Sequence, residues 1–99
     1  MIDLLSKIYV DLNELVIRKV PHDKEILSTR VIKEHTKICE YCFNIKNFYN
    51  DKNYMLEFKV SVKYILFILN YFVSKKIINN DVYKIIEKEY KDLYYIINP

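Results

Sequence analysis

Apolar residues recur at three- and four-residue spacing along most of the chain, and the pattern falls into four blocks. In the first, Leu5, Ile8, Tyr9, Leu12, Leu15 and Val16 share one stripe while Lys7, Asp11, Glu14 and Arg18 lie mostly off it. That predicts an amphipathic helix over 2–19. Pro21 cannot continue it; "VPHDKE" supplies a stop and a turn, with Asp23 the expected N-cap of the next helix and Glu25 in its first turn. The second block, 23–49, has a seven-residue rhythm. Val31, Ile38 and Ile45 form one row and His35, Cys42 and Tyr49 the next, both facing inward, with Cys39 and Phe43 at the edge. Arg30, Lys33, Lys37, Tyr41 and Asn44 turn away, and "NFYNDKNY" breaks the pattern with Asn50, Asp51 and Asn53.

The third block, 53–76, is different. Its middle, "VSVKYILFILNYFV", is apolar nearly all round, interrupted by Ser61, Lys63 and Asn70. It falls short of the roughly twenty apolar residues that span a bilayer, so no membrane segment is expected. A helix apolar on two faces needs two partners. Phe58, Val62, Ile65, Leu69 and Phe72 fill the core, and Val60, Tyr64, Phe67, Ile68 and Tyr71 are left for a subunit interface. In the fourth block, 80–97, Asn79, Asn80 or Asp81 caps a helix whose stripe is Val82, Ile85, Ile86, Tyr90, Leu93 and Ile97. Four helices on short links predict an all-α fold: one domain, an antiparallel up-down-up-down four-helix bundle.

Composition sharpens this. The 99 residues include no glycine and only two prolines, Pro21 and Pro99. The lack of glycine disfavours hairpins and glycine-terminated helices, and it removes phosphate-cradling loops of the GxGxxG and GxxxxGK types. The net charge of +3, from 16 basic and 13 acidic residues, is too small to hold a polyanion by itself but multiplies in a homo-oligomer. "MIDLLSKIYVDL" carries Asp3 and Asp11 and no basic leader, and two cysteines make no disulfide framework. A reducing cytoplasm is the expected location.

Both cysteines and one of the two histidines fall in "HTKICEYC", His35 to Cys42. Redox chemistry of the thioredoxin kind needs CxxC at a helix N-terminus, and Cys39 and Cys42 lie deep in a helix. His35, Cys39 and Cys42 share one side and could bind zinc, but a fourth ligand would have to come from His22 or a carboxylate elsewhere. Small buried thiols are common core residues, so the stretch reads as the inner face of the second helix, with no cofactor expected. "RVIKEH" also resembles the R-x4-H spacing of HEPN ribonucleases, in which Arg30 and His35 would act on a scissile phosphate. Arg30, Lys33 and Lys37 run along one side of the second helix and Lys59 and Lys63 neighbour each other on the third; these five are the candidate nucleic-acid contacts. Glu34, Glu40 and Glu57 are interspersed, as on an ordinary solvated face. Of ten tyrosines, Tyr41, Tyr49 and Tyr54 near the second turn can stack on bases or pack inside.

Taken in order, "KVPHDKE", "ILSTRVIKE", the long apolar third helix and "VSKKIINNDVYKIIEKEYKDLYYII" resemble the four-helix accessory variability determinant (Avd) of diversity-generating retroelements and its relatives in ribosomal-RNA intervening sequences. The resemblance covers nearly the whole chain. It lacks the glycine often found before the arginine and the "NIAEG"-like segment. It implies a non-enzymatic basic bundle that assembles as a ring, typically a pentamer, and binds RNA and a reverse transcriptase, with Arg30 at the family's arginine position. The leading expectation is therefore an oligomeric RNA-binding accessory protein. The alternatives are a HEPN-like ribonuclease using Arg30 and His35, and a helical immunity or antitoxin protein with a protein partner.

Overall fold

In the computed structural model, residues 1–44 and 52–98 are described, and they form four helices: α1 (Ile2–Arg18), α2 (Glu25–Phe43), α3 (Lys52–Ser74) and α4 (Asn80–Ile97). A single 3-10 turn, His22–Lys24, joins the first two. The expected inward positions Ile45 and Tyr49 and the turn formers Asn50 and Asp51 lie outside the described residues.

Each helix packs on the next, and α4 returns to α1, closing a four-cornered bundle 40 × 22 × 20 Å in extent. Cross-helix pairs show the direction of the α2–α3 corner. From Tyr41 to Arg30 on α2 and on to Lys24 in the turn before it, the partners on α3 advance from Glu57 to Tyr64 to Tyr71. α2 and α3 are thus antiparallel, as in the up-down-up-down arrangement that short links favour.

The helix ends differ from expectation at two places. Asp23 does not cap α2: the 3-10 turn leads straight in, with the Lys24 amide donating to the Pro21 carbonyl at 3.0 Å, and Lys24 at the cap position makes no side-chain cap bond. At the other, α3 ends in a Schellman closure despite the absence of glycine. The Ile77 amide donates to the Phe72 carbonyl at 2.9 Å and the Lys76 amide to Val73 at 3.0 Å, while Lys76 takes the left-handed conformation at φ 59°. Of the three cap candidates Asn79, Asn80 and Asp81, Asn79 caps α4, its Oδ1 accepting from the Val82 amide at 2.9 Å.

One continuous core contains Leu5, Ile8, Leu12, Leu15, Val31, Ile38, Cys42, Phe58, Ile65, Leu69, Phe72, Ile86, Tyr90 and Leu93. Each such side chain contributes roughly 1.5–3 kcal/mol by leaving water. Ile68 belongs to this core as well, at 3% exposure, which corrects its assignment to a subunit interface. The reason is angular. Ile68 lies three residues from Ile65 and four from Phe72, so it turns into the core with them. Val62 is half-buried against the core, and Ile85, expected inside, is exposed. Among the described residues no helix is long and apolar enough to cross a membrane.

Candidate nucleic-acid interface

The histidine–cysteine stretch lies in the middle of the bundle. His35 has no exposed surface. Its Nε2 is 3.1 Å from the Leu5 carbonyl, which can only accept, so Nε2 carries the proton and Nδ1 accepts from the Tyr90 hydroxyl at 2.8 Å. Burial holds the imidazole below its usual pKa, partly opposed by the Leu5 hydrogen bond, and drives the Tyr90 phenol well above the usual range. The ring is a neutral tie among α1, α2 and α4.

Cys39 Sγ lies 3.6 Å from Nε2, half-buried, and burial raises its thiol. Burial pushes the Cys42 thiol up to about 12. A raised thiol is protonated and poorly nucleophilic, the opposite of a redox cysteine. Among the described residues no three or more His, Cys, Asp or Glu side chains are grouped to hold a metal ion.

Arg30 and His35 do not share a surface. Arg30 stays on the outside, its Nε 3.3 Å from Glu34 and its guanidinium 4.9 Å over the Tyr64 ring. Five residues along a helix turn a side chain well off its starting face, which separates the two ends of the R-x4-H spacing. Lys37 reaches the same Glu34 oxygen at 3.4 Å. Glu34 is itself buried, so the acid expected on a solvated face instead lies beneath two of the three α2 cations and offsets part of their charge. Lys33 is exposed and makes no ion pair among the described residues.

Lys59 and Lys63 look the other way, into the α3–α4 groove, a cleft of about 400 Å³. Val62 and Leu66 form its floor, and Lys91, Tyr94 and Tyr95 its α4 wall. The Lys59 ammonium sits 5.3 Å over the Tyr94 ring. Glu87 is the acid among the lining residues, and it accepts from the Tyr83 hydroxyl at 3.4 Å. The five candidate cations are therefore split between two sides of α3. Sequence reasoning missed Lys91, Tyr94 and Tyr95 because α4 was read for its apolar stripe alone. The signal was present: Lys84, Lys88 and Lys91 recur at helical spacing, and all three are exposed.

Of the predicted interface residues, Val60, Tyr64 and Phe67 are exposed, Phe67 at 76%. Leu56 extends their ridge, at 58%. Tyr71 is half-buried, with Lys24 and Lys75 5.9 and 5.8 Å from its ring centroid. Tyr41 and Tyr54 are structural rather than free to stack: their rings meet edge-on at 5.0 Å, Tyr41 donates to Glu57 at 3.1 Å, and the Tyr54 hydroxyl donates to the Tyr41 carbonyl.

Comparison with family models, with characterised proteins and with solved structures finds no significant match.

Proposed function

We propose that the chain is a non-enzymatic, self-associating bundle that binds nucleic acid, chiefly RNA, as an accessory to a nucleic-acid enzyme of the reverse-transcriptase kind. The observation that carries this reading is the α3–α4 groove. Lys59, Lys63 and Lys91 line it together, and none makes an ion pair among the described residues. Three unpaired cations outnumber the one acid of the groove, Glu87, and are available to phosphates, whose neutralisation releases counterions.

Self-association is supported by Leu56, Val60 and Phe67, large apolar side chains more than half exposed along α3. Assembly on that ridge would put Lys59 and Lys63 at the rim, where interface residues remain wet, and would repeat the groove once per subunit. A ribonuclease built on Arg30 and His35 gains no such support, since both nitrogens of the buried ring are already engaged.

The test is affinity for a structured RNA by fluorescence anisotropy across salt, with solution mass by light scattering. With three phosphates neutralised per subunit, affinity falls roughly ten-fold or more between 50 and 200 mM salt. Lys63→Glu combined with Lys91→Glu lowers it further. Salt-independent affinity, or none, defeats the electrostatic reading; a strictly monomeric mass defeats the assembly part.

A further inference from the structure

We propose that the α3–α4 groove takes a single-stranded segment of nucleic acid, with a base stacked on Tyr95 and the flanking phosphates held by Lys59, Lys63 and Lys91. The inference rests on the nucleic-acid reading above and narrows it to one form of ligand.

The two tyrosines of the groove are used differently. Tyr94 is committed to the protein: Phe58 stacks on it at 6.5 Å, the Lys59 ammonium covers its ring, and its hydroxyl accepts from the Asn98 amide at 2.8 Å. Tyr95 is 67% exposed, and its one ring contact among the described residues is an edge approach to Tyr94 at 6.0 Å and 69°. A T-shaped contact covers at most one face of the Tyr95 ring, and the other is left open. Tyr94 anchors Lys59 while Tyr95 remains available.

The groove also has an apolar floor, Val62 and Leu66, between its cations. A surface for phosphates alone needs neither an apolar floor nor an open ring. In a duplex the base faces are stacked and hidden, whereas a single strand presents them to aromatic side chains. Charge complementarity selects a polyanion, and the open ring with the apolar floor selects one whose bases are free.

The experiment compares three polyanions at one low salt concentration: a short oligouridine, duplex RNA of equal length, and heparin, which has charge but no bases. Wild type, Tyr95→Ala and Tyr95→Phe are titrated with each; because Tyr95 is exposed, both variants are expected to fold, which circular dichroism checks. The expected result is tighter binding of the single strand than of the duplex. Tyr95→Ala weakens oligouridine binding about five-fold or more, Tyr95→Phe retains it, and heparin affinity is the same for all three proteins. If Tyr95→Ala leaves oligouridine affinity unchanged, or if the duplex binds as tightly as the single strand, the stacking proposal is overturned while charge-driven binding stands. Failure to bind any of the three overturns both.

Discussion

Replacing Glu89 by glutamine should stabilise the bundle in alkali and do progressively less as the pH falls. The Glu89 carboxylate is buried between α4 and α1, with neither oxygen hydrogen-bonded, and its nearest cation is the Lys7 ammonium at 3.4 Å. Burial first, and then Asp11 beside it, raise its pKa from 4.5 to about 7. Asp11 acts partly through a hydrogen bond that exists only when the two carboxyls share a proton. Lys7 pulls the other way, and Glu89 in turn raises the pKa of Lys7; desolvation and the second carboxylate outweigh that attraction at Glu89.

Because the folded pKa lies above the unfolded one, the native state binds the proton more tightly. Stability from this group is complete below the unfolded value of 4.5 and is lost as the pH rises through about 7. The penalty at pH 8.5 is about 3 kcal/mol, falling to about 1 kcal/mol at pH 5. Glutamine cannot ionise, and its amide can donate to Asp11. The assay is urea unfolding of both proteins at the two pH values. Taking the difference between proteins removes the opposite contribution of His35, whose lowered pKa costs stability as the pH falls below its usual 6.5. An advantage for Glu89→Gln of equal size at both pH values would refute the raised pKa. A variant less stable at pH 8.5 would show that the ion pair with Lys7 outweighs burial.

Three further outcomes follow from local geometry. Lys76→Gly stabilises the fold by about 1 kcal/mol in the same urea assay, since glycine takes the left-handed Schellman position without the Cβ clash. Tyr90→Phe leaves Nδ1 of His35 without its donor and costs roughly 1–3 kcal/mol, read as a lower thermal midpoint. Native protein treated with iodoacetamide at pH 8 leaves Cys42 unmodified until denaturant is added, as mass spectrometry of its peptide would show; rapid native labelling of Cys42 would contradict its buried, raised thiol.

Much of the architecture was legible in the hydrophobic period, because a stripe at helical spacing has to be covered and four such stripes on short links have one simple arrangement. α4 begins and ends at the expected residues, and residue type narrowed its cap to Asn79, Asn80 or Asp81, of which Asn79 serves. The errors fall where a side chain's fate depends on a neighbouring helix. Ile68 could not be assigned from a helix apolar on nearly every side, since only the positions of the neighbouring helices decide which apolar flank is interior. Glu34 read as part of a solvated face, and its burial could not be seen from its own helix; Glu89, buried too, was not singled out. Lys76 defied the expectation drawn from missing glycine because a tertiary link can impose a left-handed residue at a modest cost. The α4 half of the groove was missed for a different reason: its cations carry a helical period of their own, legible only when polar residues are read with the same care as apolar ones.

The tie at His35 also bears on how the chain folds. Its two hydrogen bonds reach back to Leu5 and forward to Tyr90, 30 and 55 residues away in sequence. In an intermediate of α1, α2 and α3 alone the Nδ1 side of the imidazole would face water, so the buried tie that links α1, α2 and α4 forms only when α4 docks. Partial bundles are thereby disfavoured, and arrival of the last helix coincides with completion of the core. The histidine sharpens the folding transition toward all-or-none behaviour, in a fold whose helix pairs are otherwise local enough to assemble stepwise.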